Sequence, residues 1–118
     1  EGRIRPHVRE MDEHAHIDRA LIDELFALGV MGIEVPEAYG GAGATFFHSV
    51  LAVEEISRVD PAIGVMVDVQ NTLVINAILR WASEDQRRRY LPALAASAAS
   101  LCIQVSAAAC MGMVPKEK

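Results

Sequence analysis

The sequence predicts an all-α fold, an orthogonal bundle of five to six helices, followed by the start of a β-strand and an irregular tail. Three observations carry this. Apolar residues recur at three- and four-residue spacing along most of the chain, which is the period of one helix face. Helix-start signals stand at Asp18, at Asp60-Pro61 and in Ser83-x-x-Gln86. Only Leu101-Cys102-Ile103-Gln104-Val105 has the composition of a short strand.

Ile4, Val8 and Met11 stand at i, i+4 and i+7, so a first helix is expected over about 4–14, with Pro6 confined to its first turn. Asp18 caps a second helix with Leu21, Ile22, Leu25, Phe26 and Leu28 facing inward, and Gly29 ends it in the left-handed conformation. Residues 29–44 are Gly-rich and read as an irregular connection. A third helix is predicted over about 45–58, with Phe46, Val50 and Val53 as its stripe, joined by Phe47 and Leu51, and with Glu54 and Glu55 paired to Arg58. After Asp60-Pro61 the chain is almost wholly apolar as far as Trp81. The polar Gln70-Asn71-Thr72 suggests a break into helices near 61–70 and 72–81. A segment apolar on all sides belongs at the centre of the bundle. The Ser83-x-x-Gln86 capping box opens a further helix that carries Arg87, Arg88 and Arg89 outward, and Pro92 breaks or restarts it before the Ala-rich 93–99. Phe26, Val50, Leu51, Val65, Leu73, Ile75 and Leu79 are the expected core. Truncating Leu73 to Ala is expected to cost roughly 2–5 kcal/mol.

Composition narrows the function. The chain has 118 residues and a net charge of −5, so it makes one compact domain. An acidic balance excludes a nucleic-acid binder that relies on a basic face. With 52% hydrophobic and 23% charged residues it is not a disordered chain, and no run of about twenty uninterrupted apolar residues marks a membrane span. Two cysteines point to a reducing compartment. The chain opens on Glu1 without a methionine, and the expectation is that its beginning is missing or removed.

Few residue groupings suggest chemistry on their own. His14 and His16 fall on different helix faces, and Cys102 and Cys110 lack C-x-x-C spacing, so surface histidines are expected and no metal site. Ser106 has no nucleophile-elbow context. Gly40-Gly41-Ala42-Gly43 precedes a helix, as a phosphate cradle would. It has neither the Lys-Ser/Thr of a P-loop nor dinucleotide-fingerprint spacing, so a flexible connection is the better reading. Arg87-Arg88-Arg89 reads as a solvated face, and Met66, Val67 and Val69 read as ordinary core.

The order of the pieces, however, resembles the N-terminal helical domain of the acyl-CoA dehydrogenases. The resemblance is carried by Met11-Asp12-Glu13 and by the run from Leu25 to Gly41, with Met31-Gly32-Ile33-Glu34-Val35-Pro36 at its centre. It continues in Val53-Glu54-Glu55-Ile56-Ser57-Arg58-Val59-Asp60, in Gln70-Asn71-Thr72-Leu73, and in Ser83-Glu84-Asp85-Gln86 followed by Tyr90-Leu91-Pro92. Met31 to Val35 and Gln70 to Leu73 look most like the short/branched-chain branch. The division that follows is an acyl-CoA dehydrogenase N-terminal domain at 1–100 and the start of a middle β-domain with a divergent tail at 101–118.

The resemblance implies an oxidoreductase that removes hydrogens from the α and β carbons of an acyl-CoA. A glutamate of a C-terminal domain takes the α-proton, FAD takes the β-hydride, and an electron-transfer flavoprotein takes the electrons. It also implies a homotetramer when full length, and a mitochondrial matrix location or, for bacterial relatives, the cytoplasm. By the family's pattern Met66, Val67, Val69 and Gln70 face the acyl tail, and Cys102, Ile103 and Gln104 stand where the flavin-contacting strand begins. After Gln104 the sequence departs from that strand: Val105-Ser106-Ala107-Ala108-Ala109-Cys110 replaces the Glu and Gly-Ser-Asp. The expectation is therefore a truncated product with no catalytic residue of its own, unable to hold FAD alone, and disordered over 106–118. The alternative is a stand-alone helical interaction module that associates with full-length subunits.

Overall fold

Five helices form among the residues described by the computed structural model, which are 2–14 and 17–96. They are α1 (Val8–His14), α2 (Arg19–Ala27), α3 (Phe46–Ser57), α4 (Pro61–Trp81) and α5 (Glu84–Ala96). A 3-10 turn, Arg5–His7, leads into α1 and contains Pro6. No strand occurs among the described residues. The expected strand at 101–105, the tail 106–118, His16 and both cysteines lie outside them.

Capping signals legible in the sequence set most of the ends. Asp18 accepts from the Ala20 N–H at 3.0 Å, and Gly29, at φ 77°, takes the left-handed conformation just past α2. Asp60 accepts from the N–H groups of Ala62 and Ile63 at 2.8 and 3.3 Å. Ser83 and Gln86 exchange reciprocal bonds at the start of α5. Arg58 pairs with Glu54 at 3.2 Å and with Glu55 at 2.8 Å on the exposed side of α3.

α4 is the centre of the fold. It packs against α3 on one side and, at its far end, meets α5. One core cluster joins Ile4, Met11, Leu21, Leu25, Phe26, Met31, Ile63 and Val67, and a second joins Val35, Ile75, Leu91 and Ala95. By length and composition alone α4 could cross a bilayer. Its buried Gln70 and Asn71, bonded to neighbouring elements, instead suit a bundle interior.

Several expectations give way. α4 does not break at 70–72; it continues through them by winding Val69–Ile75 as a π-helix. α5 runs through Pro92, which is exposed, so the bond its missing N–H forgoes lies at the surface. The predicted α3 stripe is turned outward: Phe46, Phe47, Val50 and Leu51 are all exposed, and Ser49 is the buried position. α3 has apolar residues on more than one face, and Ser49 is held inward by its hydroxyl bond to Glu34, with Val53 and Ile56 half-buried. Val65 and Leu73 are exposed, Leu79 is half-buried, and Leu28 lies outside the α2 face; Phe26 and Ile75 are buried as expected.

The segment 29–44 is the irregular connection expected, with Gly29, Gly40 and Gly43 in the left-handed conformation, but it is packed into the core. Met31 and Val35 are fully buried and Ile33 nearly so. The chain folds back on itself through Ala42 N–H to Gly32 O, Gly43 N–H to Val35 O and Ala44 N–H to Ile33 O. Gly41 packs so closely on Val35 that a Cβ there would strike the Val35 carbonyl.

Candidate functional site

The folded-back connection, the start of α3 and the second half of α4 enclose an open groove of about 400 Å³. Glu34, Phe46, Leu73, Asn76, Arg80 and Trp81 are among its lining residues. Glu34 ties the three elements together. Its Oε1 accepts from the Ser49 hydroxyl at 2.9 Å, and its Oε2 accepts from Asn76 Nδ2 at 3.1 Å. With both oxygens engaged by neutral donors, the carboxylate serves as a fixed acceptor in a groove that Thr72, Asn76 and Arg80 line together with Phe46, Leu73, Ala77 and Trp81. Trp81 and Leu73 are 85% and 63% exposed, so that groove is open to a covering group.

The acyl-facing positions expected from the sequence lie elsewhere on α4. Val67 and Gln70 are fully buried, and Met66 and Val69 are half-buried. Met66 packs against the first core cluster, and Gln70 Nε2 donates to the Leu94 carbonyl at 2.9 Å. None of the four lines the groove. Glu34, Asn76 and Trp81 were not singled out from the sequence. Their meeting depends on pairing a loop with a helix 42 residues further on, and no local pattern encodes that.

A second polar grouping sits where the 3-10 turn Glu37–Tyr39 meets α5. The Tyr39 hydroxyl donates to Glu84 Oε1 at 2.8 Å, and Arg88 Nε donates to the same oxygen at 2.9 Å. The Arg88 bond, reinforced by Tyr39, holds the Glu84 carboxyl below the usual range, and the Glu84 bond pushes the Tyr39 hydroxyl up. Of the three consecutive arginines, Arg88 and Arg89 are exposed, while Arg87 is half-buried with its Nε unbonded. Among the described residues no group of three or more His, Cys, Asp or Glu converges on a metal position.

The N–H groups of Gly40, Gly41, Ala42 and Gly43 each bond a backbone carbonyl, so this stretch presents no free N–H group to a phosphate. The positions expected to meet FAD, Cys102, Ile103 and Gln104, lie outside the described residues.

The described residues thus form an all-α bundle with an open, mixed polar and apolar groove on its central helix. The family model for the N-terminal domain of acyl-CoA dehydrogenases matches residues 1–98, and the chain belongs to that family. Over 105 residues, 88% of this chain and 25% of the relative, it is 46% identical to a probable short/branched chain specific acyl-CoA dehydrogenase of Dictyostelium discoideum. It is 42% identical over 106 residues, 89% of the chain and 24% of the relative, to the bovine mitochondrial short/branched chain specific acyl-CoA dehydrogenase. A Bacillus subtilis acyl-CoA dehydrogenase is 40% identical over 92 residues, 78% of the chain and 24% of that relative. The chain thus spans about a quarter of the length of these relatives.

Proposed function

We propose that this domain forms one wall of the acyl site in a FAD-dependent acyl-CoA dehydrogenase that desaturates short or branched acyl thioesters at the α and β carbons. The observation that carries the reading is the family match, joined to 46% and 42% identity with relatives whose names specify short/branched-chain substrates. In this reading the domain's contribution is apolar cover. Abstraction of a thioester α-proton is favoured by exclusion of water, and a helical wall does that without supplying a base. Glu34, which accepts from Ser49 and Asn76, is assigned a structural role and not the base's.

Met66 and Val69, which keep part of their surface free, are assigned direct contact with the acyl tail. Val67 and Gln70 lie behind them and fix the wall. FAD, an electron-transfer flavoprotein as acceptor and a homotetrameric assembly belong to the proposal through the family. Its location is the mitochondrial matrix or the bacterial cytoplasm, since mitochondrial and bacterial relatives both match. The test is an acceptor-linked assay of the polypeptide that carries this domain, with short straight, short branched and long straight acyl-CoA thioesters. Turnover confined to short and branched chains is the expected result; preference for long chains would overturn the substrate assignment.

A second reading is favoured by the exposed Phe46, Phe47, Val50 and Leu51 of α3. It makes the 118-residue chain a helical module that associates with full-length subunits. Co-purification with tagged full-length subunits, abolished by Phe47→Ser, supports that reading; no co-purification removes it.

A further inference from the structure

Seven consecutive residues of α4, Val69–Ile75, wind as a π-helix. Such winding is rare and occurs mostly as single-turn bulges, because each extra residue loosens the hydrogen-bond ladder and needs local compensation. Asn71, fully buried inside the segment, provides it. Its Nδ2 donates to the Val67 carbonyl at 2.9 Å. In an α-helix that carbonyl would pair with the N–H of Asn71 itself. Nδ2 also donates to the Val30 carbonyl at 2.8 Å, and Oδ1 accepts from the Ile33 N–H at 3.0 Å. Both amide hydrogens and the amide oxygen are therefore used, two of the three bonds reaching a loop some forty residues earlier in the chain.

The winding has a geometric consequence. One residue more or less in a helix rotates everything beyond it by about 100°. Asn76, Ala77 and Trp81 line the groove from the far side of the π segment, and Asn76 reaches Glu34 only in the present register. The geometry points to Asn71 as a positioning residue: it holds the π register of α4 and thereby turns Asn76, Ala77 and Trp81 toward the groove beside Glu34. Thr72 and Leu73, inside the π segment, also line the groove. If the acyl site proposed above extends from the Met66 and Val69 wall to this groove, which none of those residues lines, Asn71 sets chain preference without touching the substrate.

The test separates register from simple loss of stability. Three variants are made in the polypeptide that carries this domain: Asn71→Leu, deletion of Val74, and the two combined. Val74 lies inside the π segment and outside the groove lining. Deleting it removes the extra residue, so an ordinary α-helix can return the far half of α4 to its place. Crystal structures read the winding and the Asn76–Glu34 contact. The ratio of kcat/KM between a short straight and a short branched acyl-CoA reads the groove.

Asn71→Leu alone should rewind α4, take Asn76 off Glu34 and shift the ratio by about tenfold. The combined variant should regain both the contact and the parent's ratio although Asn71 is gone. An Asn71→Leu protein that keeps the π winding overturns the proposal, as does a combined variant that recovers neither contact nor ratio. If Asn71→Leu fails to fold, the combined variant decides: folding with Asn76 on Glu34 supports the proposal, and failure to fold overturns it. Absence of acyl-CoA turnover in the parent protein would count against the proposed function alone, since the winding and the contact are still read from the structures.

Discussion

Gln70 donates its Nε2 to the carbonyl oxygen of Leu94 at 2.9 Å, and both residues are fully buried. The bond fastens the middle of α4 to the last turn of α5. Replacing Gln70 by Leu keeps the volume and leaves the Leu94 carbonyl without that donor. The expected cost is roughly 1–3 kcal/mol, the penalty of an unsatisfied buried polar group. Denaturant unfolding of Gln70→Leu measures it, and an unchanged midpoint would show that the Leu94 carbonyl finds another donor.

The outward turn of Leu73 reverses the stability expected from its apolar surroundings. Leu73→Ala should change stability by no more than about 0.5 kcal/mol, as for other exposed positions. Ile75→Ala, two residues on and fully buried in the second core cluster, should cost about 2–5 kcal/mol. Thermal unfolding of the pair decides the orientation of the π segment. Equal losses would mean that Leu73 is packed.

These two residues also show where the sequence stopped being informative. The α2 and α4 starts were legible because Asp18 and Asp60 cap by local chemistry, within three residues of their partners. The orientation of α3 and of the middle of α4 was not, because a helix with apolar residues on several faces gives periodicity no single face to choose. What chose it was polar and long-range: Ser49 reaching Glu34, Gln70 reaching Leu94, and Asn71 reaching Val30 and Ile33. The polar triplet Gln70-Asn71-Thr72 was visible as an interruption. Its meaning, an interior pin and not a break, required knowing where the Gly-rich segment folds.

That segment carries a prediction of its own. The site at which a Gly41 Cβ would stand is occupied by the carbonyl oxygen and Cβ of Val35, and Val35 is fully buried. Backbone cannot swing aside as a flexible side chain would, so Gly41→Ala must open the fold-back that positions Glu34. The expected loss is about 1–3 kcal/mol, as for overpacking in a core. Hydrogen exchange at the Gly43 and Ala44 amides, which bond to Val35 and Ile33, should accelerate in parallel. Unchanged protection of those amides would rule out this mechanism of loss.

Met66 tests the proposed acyl wall. A contact with substrate predicts that Met66→Ala, in the polypeptide carrying this domain, alters preference between short and branched acyl chains by about tenfold or more, the lower end of the range for one lost methylene contact. A role only in packing against the first core cluster predicts lower thermal stability with preference unchanged. Measuring kcat/KM for both substrates alongside the melting temperature separates the two, and the second pattern would remove Met66 from the site.

The junction of Tyr39, Glu84 and Arg88 predicts a pH dependence at both ends of the scale. Arg88 first, and Tyr39 second, lower the Glu84 pKa in the folded protein below its unfolded value of about 4.3. The unfolded chain therefore binds the proton more readily. The stability this gives is present above about pH 4.3 and is lost as pH falls through the folded value. For Tyr39 the shift is upward, caused chiefly by its bond to Glu84, so that contribution is present below about pH 10 and is lost as pH rises through the folded value. All three groups are solvent-accessible, which keeps the effect small and sensitive to salt. An NMR titration of the Glu84 carboxyl should show a depressed midpoint that rises more in Arg88→Gln than in Tyr39→Phe, following the order of the two causes. A larger rise in Tyr39→Phe would make the tyrosine the main partner, and no rise in either variant would mean that the junction does not form in solution.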